Sequence, residues 1–212
     1  MSNLQERRER EKQQRQDAIL DAAETMFAGK GYERTSMDEI ARTASLSRAL
    51  LYVYFKDKAA IQRGIILRAA ERLQERFRTA LEAGDTGLDK IREIGAAYYR
   101  FWQEEPNYFD ALTRAATAMQ DADADESELM VGCEMTTMSL MVEALNAGIE
   151  DGSIDATQVS DCFQTALYLR GALHGVIMMC QQEMGEDGPL ATYPSDSLVR
   201  HTMEMLVRSI RA

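Results

Sequence analysis

Apolar residues return every three or four positions through most of this chain and nowhere alternate with polar ones over the length of a strand. That period belongs to amphipathic helices. The first clear stripe is Ile19, Ala22, Ala23, Met26 and Phe27, which predicts a helix running from Gln16 and stopped by Gly29 and Gly31. Ser36 with Glu39 three residues on reads as a capping box, which opens a short helix over Met37–Ala44. A second short run spans Ser47–Phe55, and only Ala44, Ser45 and Leu46 separate the two. So short a link excludes an antiparallel return and predicts a tight bend, with Ser45 where a glycine commonly takes the left-handed conformation. Ile40, Ala44, Leu46, Leu51 and Tyr54 fall on the inner faces of this pair, with Ala41 at the point of approach. Tyr32 would close the bottom of the resulting three-helix core.

Downstream, Asp57 is placed to cap a long helix carrying Ile61, Ile65, Ile66, Ala69, Leu73 and Phe77 to about Leu81. A turn over residues 83–87 leads to a helix at Leu88–Gln103, stopped by Pro106, and then to another at Asn107–Met119. Residues 120–128 read as a solvated loop or frayed helix start, and Leu129–Gly148 as a methionine-rich helix. Asp155 with Gln158 is expected to open a helix over Ala156–Gln182, whose scarcity of charge, Asp161 and Arg170 apart, requires burial on more than one side. Residues 185–194 read as a loop and Ser195–Ile210 as a last helix with Leu198, Met205, Leu206 and Ile210.

With 212 residues, 45% of them apolar, and only 3 prolines, the chain has enough material for a small helical module and a larger one. A net charge of −11 would repel nucleic acid if spread evenly. It is not spread evenly: residues 1–60 hold 11 Lys/Arg against 10 Asp/Glu, and residues 61–212 hold 13 against 25. The N-terminal module is therefore free to meet phosphate. Residues 1–15 form a charged, partly helical arm whose Arg7, Arg8, Arg10, Lys12 and Arg15 are suited to a minor groove. There is no apolar run of membrane length and no hydrophobic leader pattern, so a cytoplasmic location is expected. Cys133, Cys162 and Cys180, an odd and widely spaced set, fit reduced, partly buried thiols.

The outer face of the second short helix presents Ser47, Arg48, Ala49, Leu50, Tyr52 and Val53, followed by Tyr54, Lys56 and Lys58. These residues suit a DNA major groove: Arg48 for the O6 and N7 of a guanine, Ala49 or Leu50 for a thymine methyl, hydroxyls and lysines for phosphates. Thr35, Ser36, Ser47, Arg48, Ala49, Leu50, Tyr52, Tyr54 and Lys58 are the candidate DNA-binding residues.

Ile19, Ala22, Ala23, Phe27, Gly31, Tyr32, Thr35 and Ser36, with Leu51-Tyr52-x-Tyr54-Phe55-x-x-Lys58, resemble the DNA-binding domain of the TetR family of transcriptional regulators over residues 17–64. Ser45, Leu50 and Val53 depart from the common pattern there. The resemblance implies an all-α fold: an N-terminal three-helix helix-turn-helix DNA-binding domain (residues 16–60, after the arm at 1–15) plus a larger C-terminal helical ligand-binding and dimerisation domain (residues 61–212). It also implies a homodimer through the last two long helices that reads an inverted repeat, and a small-molecule effector.

For that effector the candidates are Tyr98, Trp102, Tyr108, Phe109, Met138, Met141, Phe163, His174 and Met178, with Tyr99 and Tyr168 beside them. Aromatic and thioether side chains suit apolar ligands, though such stripes also build ordinary core. His174, in an apolar run, needs a hydrogen-bond partner. Two distant histidines, no Gly-x-Ser-x-Gly, no phosphate-cradling glycine loop and no metal-ligand spacing give no support to catalysis, a cofactor or a metal. The expected function is a TetR-type regulator, a repressor released from a palindromic operator by a small, apolar ligand. The alternative is a helical ligand-binding or scaffolding module without DNA binding, which predicts no salt-dependent affinity for DNA.

Overall fold

The structure, a computed structural model, describes residues 3–120, 122–181 and 192–212. Among these it contains ten α-helices and no strand. A lone antiparallel bridge pairs Ile154 with Arg211. No described helix is long and apolar enough to cross a membrane.

The chain divides into two compact units, residues 1–69 with 107–130 and residues 70–106 with 131–212. In the first, α1 (Asn3–Lys30) begins as an exposed helical arm tied by i,i+4 pairs such as Arg7–Glu11 at 2.9 Å. It becomes a core helix where the apolar stripe starts. Ile19, Leu20, Ala22 and Ala23 pack with Ile40 and Ala41 of α2 (Met37–Thr43), Leu51 of α3 (Arg48–Tyr54), and Ile61 and Ile65 of α4 (Lys58–Ala83). Phe27 meets Tyr32 edge-on at 5.2 Å, closing this core as the sequence implies. Asp57 accepts from the Ala60 N–H at 2.7 Å, the expected cap of α4. Arg68 on α4 reaches Asp17, Asp21 and Glu24 on α1 at 2.9, 2.6 and 2.9 Å and binds the two helices together.

The first unit also takes in α6 (Pro106–Thr113) and α7 (Ala115–Ala118), two short helices where one was expected. The break falls at Arg114, whose N–H turns back to the Ala111 carbonyl at 3.2 Å. The next helix, α8 (Ala124–Glu150), starts five residues earlier than the apolar pattern suggests. Asp123 and Glu126 explain the difference: Asp123 accepts from the Glu126 N–H at 3.0 Å and Glu126 accepts from the Asp123 N–H at 3.1 Å, a reciprocal cap.

In the second unit α5 (Gly87–Glu104) is opened by Thr86, which accepts from the Asp89 N–H at 3.1 Å. Its first N–H groups, at Gly87 and Leu88, are taken by Asp151 at 2.7 Å and Ser153 at 3.1 Å. The helix expected from Ala156 starts instead at Cys162, as α9 (Cys162–Gln181). Asp155 turns its carboxylate onto the N–H and hydroxyl of Thr157, both at 2.8 Å, while its own N–H bonds Ile210 at 2.9 Å. That turn leaves Asp161 to cap α9 through the Gln164 N–H at 2.9 Å. The last helix, α10 (Ser195–Ile210), packs on α9 and α5. Most of the expected loop at 185–194, and the end of the expected helix at Gln182, lie outside the described residues. Cys133, Cys162 and Cys180 are free, and burial pushes the Cys133 and Cys162 thiols up, away from thiolate chemistry.

Candidate nucleic-acid interface and ligand cavity

The approach to α2 is built around Ser36. Its hydroxyl accepts from the Glu39 N–H at 3.4 Å and the Glu39 carboxylate accepts from the Ser36 N–H at 2.9 Å, the expected capping box. Lys30 donates to the same carboxylate at 2.5 Å. These bonds, that of Lys30 first, hold the Glu39 carboxyl down at about 2. A depressed carboxyl stabilises the folded chain above its ordinary value near 4.5, and that contribution is lost as the pH falls toward 2. The start of α2 is therefore expected to loosen within that interval, read as a fall in the protection factor of the Glu39 amide relative to its intrinsic exchange rate at each pH. Ser36→Ala is expected to cost about 1 kcal/mol of stability at neutral pH, measurable by urea unfolding.

Between α2 and α3 the chain turns at Ser45, whose φ is 57°, the left-handed conformation that a glycine adopts without strain. The turn is held by the Leu46 N–H on the Ala41 carbonyl at 2.8 Å. Ser47 then caps α3 by accepting from the Leu50 N–H at 3.2 Å. Leu51 is fully buried, and Tyr54 and Phe55 pack against the same core. Opposite them Ser47, Arg48, Ala49, Tyr52 and Val53 are exposed, Val53 at 75%, and Leu50 is half-buried. Arg48 grips Asp38 of α2 at 3.1 Å and lies 5.7 Å from the centre of the Tyr52 ring.

The other proposed interface residues are placed differently. Thr35 is 3% exposed and donates its hydroxyl to the Gly31 carbonyl at 2.9 Å, while Ser36 is exposed at the cap. Lys58 directs its ammonium onto the carbonyls of Tyr32, Glu33 and Thr35 at 2.7, 3.3 and 3.0 Å and over the Tyr32 ring at 4.2 Å. It holds the α1–α2 loop. Sequence reasoning had no signal for this, because three carbonyl acceptors leave no pattern in the side chains.

The second unit contains a small apolar cavity of about 40 Å³ that is partly open to solvent. Its lining includes Phe77, Ile91, Tyr98, Met141, Leu173 and Met203, together with the charged Arg92 and Arg170. Of the nine candidates, Tyr98 and Met141 line it. His174 joins through its Nδ1, 2.7 Å from the Tyr98 hydroxyl. Burial pushes the Tyr98 hydroxyl up to about 12 and the His174 imidazole down, so both are neutral at pH 7. Met138 is buried, with its sulfur 3.3 Å from an Arg170 nitrogen. Trp102 lies against Tyr99 at 5.5 Å, Met178 is half-buried and Phe163 is exposed. Tyr108 and Phe109 belong to the first unit instead: Tyr108 packs on its core and donates to Glu24 at 3.1 Å, and Phe109 is fully buried. The contribution of α10, Met203, Leu206 and Val207, went unread because a helical stripe does not say which neighbour it faces. Among the described residues no group of three or more His, Cys, Asp or Glu is arranged to hold a metal ion.

Residues 19–63 match the family model described as bacterial regulatory proteins, tetR family. The chain is 32% identical over 111 residues, 52% of its length, to the uncharacterized HTH-type transcriptional regulator YfiR of Bacillus subtilis (strain 168). It spans about half the length of the curated relatives it matches, 46% in the case of YfiR. The fold is similar to that of the TetR family transcriptional regulator PfmR from Thermus thermophilus, with a TM-score of 0.65 and 23% identity over 90% of this chain and 97% of that one. It is also similar to the transcriptional regulator FadR from Bacillus subtilis, solved in complex with stearoyl-CoA, with a TM-score of 0.68 and 19% identity over 92% of this chain and 98% of that one.

Proposed function

We propose that this chain belongs to the tetR family of bacterial regulatory proteins, whose model matches its residues 19–63, and that it is a repressor that binds an inverted-repeat operator as a homodimer and leaves it when a small apolar ligand enters the second unit. The observation that carries this reading is α3: Leu51 is fully buried beneath it, while Ser47, Arg48, Ala49 and Tyr52 stand exposed on its outer side. A seven-residue helix with a polar and apolar outer face, fixed at its start by a capped turn, is suited to lie in a major groove. Arg48 would read guanine, Ala49 or Leu50 a thymine methyl, and Ser36, Ser47, Tyr52 and Tyr54 would position the helix on phosphates.

A homodimer is favoured by α9. Its inner side buries Ala166, Leu169, Leu173 and Ile177, whereas Phe163, Leu167, Tyr168 and Met179 remain exposed in the single chain. Gly171 and Gly175 lie between these exposed residues, and a Cβ added at either would meet nothing within 4 Å. An apolar helix face with small residues at its middle is one that a second copy can approach closely. Paired through α9 and α10, two copies would set their α3 helices roughly 34 Å apart, one turn of DNA. The place of work is then the cytoplasm.

The cavity supports an apolar ligand, with Tyr98 and His174 as the polar pair that orients it. The lining is almost wholly apolar, and FadR, whose fold is similar, was solved with stearoyl-CoA, a ligand with an apolar tail. Helix α4 is continuous from Lys58 to Ala83 and carries residues of both units, among them the cavity residue Phe77, so it is the element through which occupancy would reach DNA affinity. Ligand and operator must then weaken each other's binding by the same factor.

Gly95 offers a test of the cavity. A Cβ there would meet Met203 at 3.6 Å and Leu173 at 3.8 Å, ordinary contacts, so Gly95→Ala is expected to stabilise the protein by about 0.5–1 kcal/mol through helix propensity. Gly95→Leu should fill the space and abolish saturable binding of the apolar dye anilinonaphthalene sulfonate. Unchanged dye binding would place the ligand elsewhere. The function itself is tested by fluorescence anisotropy with a duplex carrying the inverted repeat beside this chain's own gene. Two chains per duplex and a strong preference over a scrambled duplex are expected; equal affinity for both would contradict the reading.

A further inference from the structure

Lys56 lies just beyond α3, in the turn before α4, and its side chain is half exposed. Its ammonium donates to Asp123 at 2.7 Å and to Glu126 at 3.0 Å, the two residues that cap α8. Glu126 serves a second cation, Arg63 of α4, at 2.8 Å. Arg63 is almost wholly buried and is also held by the Ala118 carbonyl at 3.3 Å. All of these residues belong to the first unit.

The two cations are not equivalent. Arg63 has lost its water and must keep its carboxylate, because an unpaired buried charge is costly. Lys56 and Asp123 are both about half exposed, so their bond is easily exchanged for another anion. Lys56 is four residues beyond Tyr52 and, unlike Lys58, whose ammonium is committed to three carbonyls, it is held by carboxylates. A carboxylate pair around an exposed lysine next to a DNA-reading helix presents the lysine with the same kind of partner that a phosphate diester would.

We propose that Asp123 and Glu126 are a built-in competitor for DNA: in the free protein they occupy Lys56, a phosphate-contacting residue at the exit of α3, and they yield it when the backbone of the duplex arrives. This rests on the DNA-binding reading above. The acidic pair lowers affinity for every sequence by the same factor, and so lets base contacts decide which sites are held. It also accounts for a basic residue at the interface being neutralised in a protein whose remaining charge is strongly negative.

The experiment is a double-mutant cycle on binding to the inverted-repeat duplex and to a random duplex, across a salt series. Asp123→Asn removes the charge while keeping a good helix cap and leaving Glu126 on Arg63. It is expected to tighten binding to both duplexes several-fold. Lys56→Gln is expected to weaken both alike and to flatten the slope of log affinity against log salt by about one per chain. In the Lys56→Gln background, Asp123→Asn should then have no further effect. Tightening of the same size in that background would make Asp123 a general repulsive charge and overturn the proposal. So would an unchanged salt slope in Lys56→Gln, an exposed substitution that leaves the core intact. If the unmodified protein binds neither duplex, the DNA-binding reading itself fails, an outcome separate from both.

Discussion

Replacing Arg48 by alanine is expected to remove most of the preference for the operator while leaving the fold unchanged. Arg48 is exposed at the first turn of α3 and makes no core contact, so its loss opens no cavity. In the free protein it is paired with Asp38 at 3.1 Å, an exposed pair of the kind that contributes about 0–1 kcal/mol. Releasing it for a guanine is therefore cheap compared with the roughly 1–3 kcal/mol that a bidentate arginine–guanine contact typically contributes. Two half-sites double the effect, to about 2–6 kcal/mol, or roughly thirtyfold to ten-thousandfold in affinity for the specific duplex. Binding to a random duplex should fall far less. Competition measurements with both duplexes check this, and an equal loss on both would assign Arg48 to phosphate instead.

The second large effect is expected at Gly87→Ala. Gly87 opens α5 directly against the end of α8, where an added Cβ would lie 2.0 Å from the nitrogen and 2.2 Å from the Cα of Gly148. Backbone atoms cannot rotate aside as a side chain can, and moving α5 would break the bonds from Gly87 and Leu88 to Asp151 and Ser153. Gly148 is itself confined, since a Cβ there would meet Ile154 at 2.4 Å. Overpacking of this kind costs about 3 kcal/mol or more, the upper part of the usual range, because relief by rotamer change is closed off. The expected shift is roughly 6–12 °C in the apparent Tm. A melting curve within roughly 2 °C of the original would show that the two helices can separate without loss.

Much of the helix-turn-helix module was legible in the sequence because its determinants are local. The Ser36–Glu39 box, the short link at Ala44–Leu46, and the stripe at Ile40, Leu51 and Tyr54 all act within a few residues, and the structure forms each of them. Even the strained turn was readable, since a serine stands where the backbone needs a positive φ. The errors arose where tertiary contacts choose between equal local signals. Asp155 and Asp161 are both good caps, and the bond from the Asp155 N–H to Ile210 decides for the second. The aromatic pair Tyr108 and Phe109 reads as cavity lining by composition, yet Glu24 and the first unit's core take it. Lys58 reads as a phosphate contact by position, and the carbonyls of the α1–α2 loop hold its ammonium in the free chain. Side-chain periodicity gives the face of a helix, whereas the partner of that face is set by contacts tens of residues distant.

In the proposed complex the exposed side of α3 touches base edges in two successive major grooves. Methylation interference at guanine N7 on the inverted-repeat duplex tests this most directly, because N7 lies in the major groove. One interfering guanine, or a few adjacent ones, is expected in each half-site, the two groups about one helical turn apart, with interference at one guanine per half-site disappearing in the Arg48→Ala protein. Interference that is absent, or that is the same for Arg48→Ala and the unmodified chain, would contradict it.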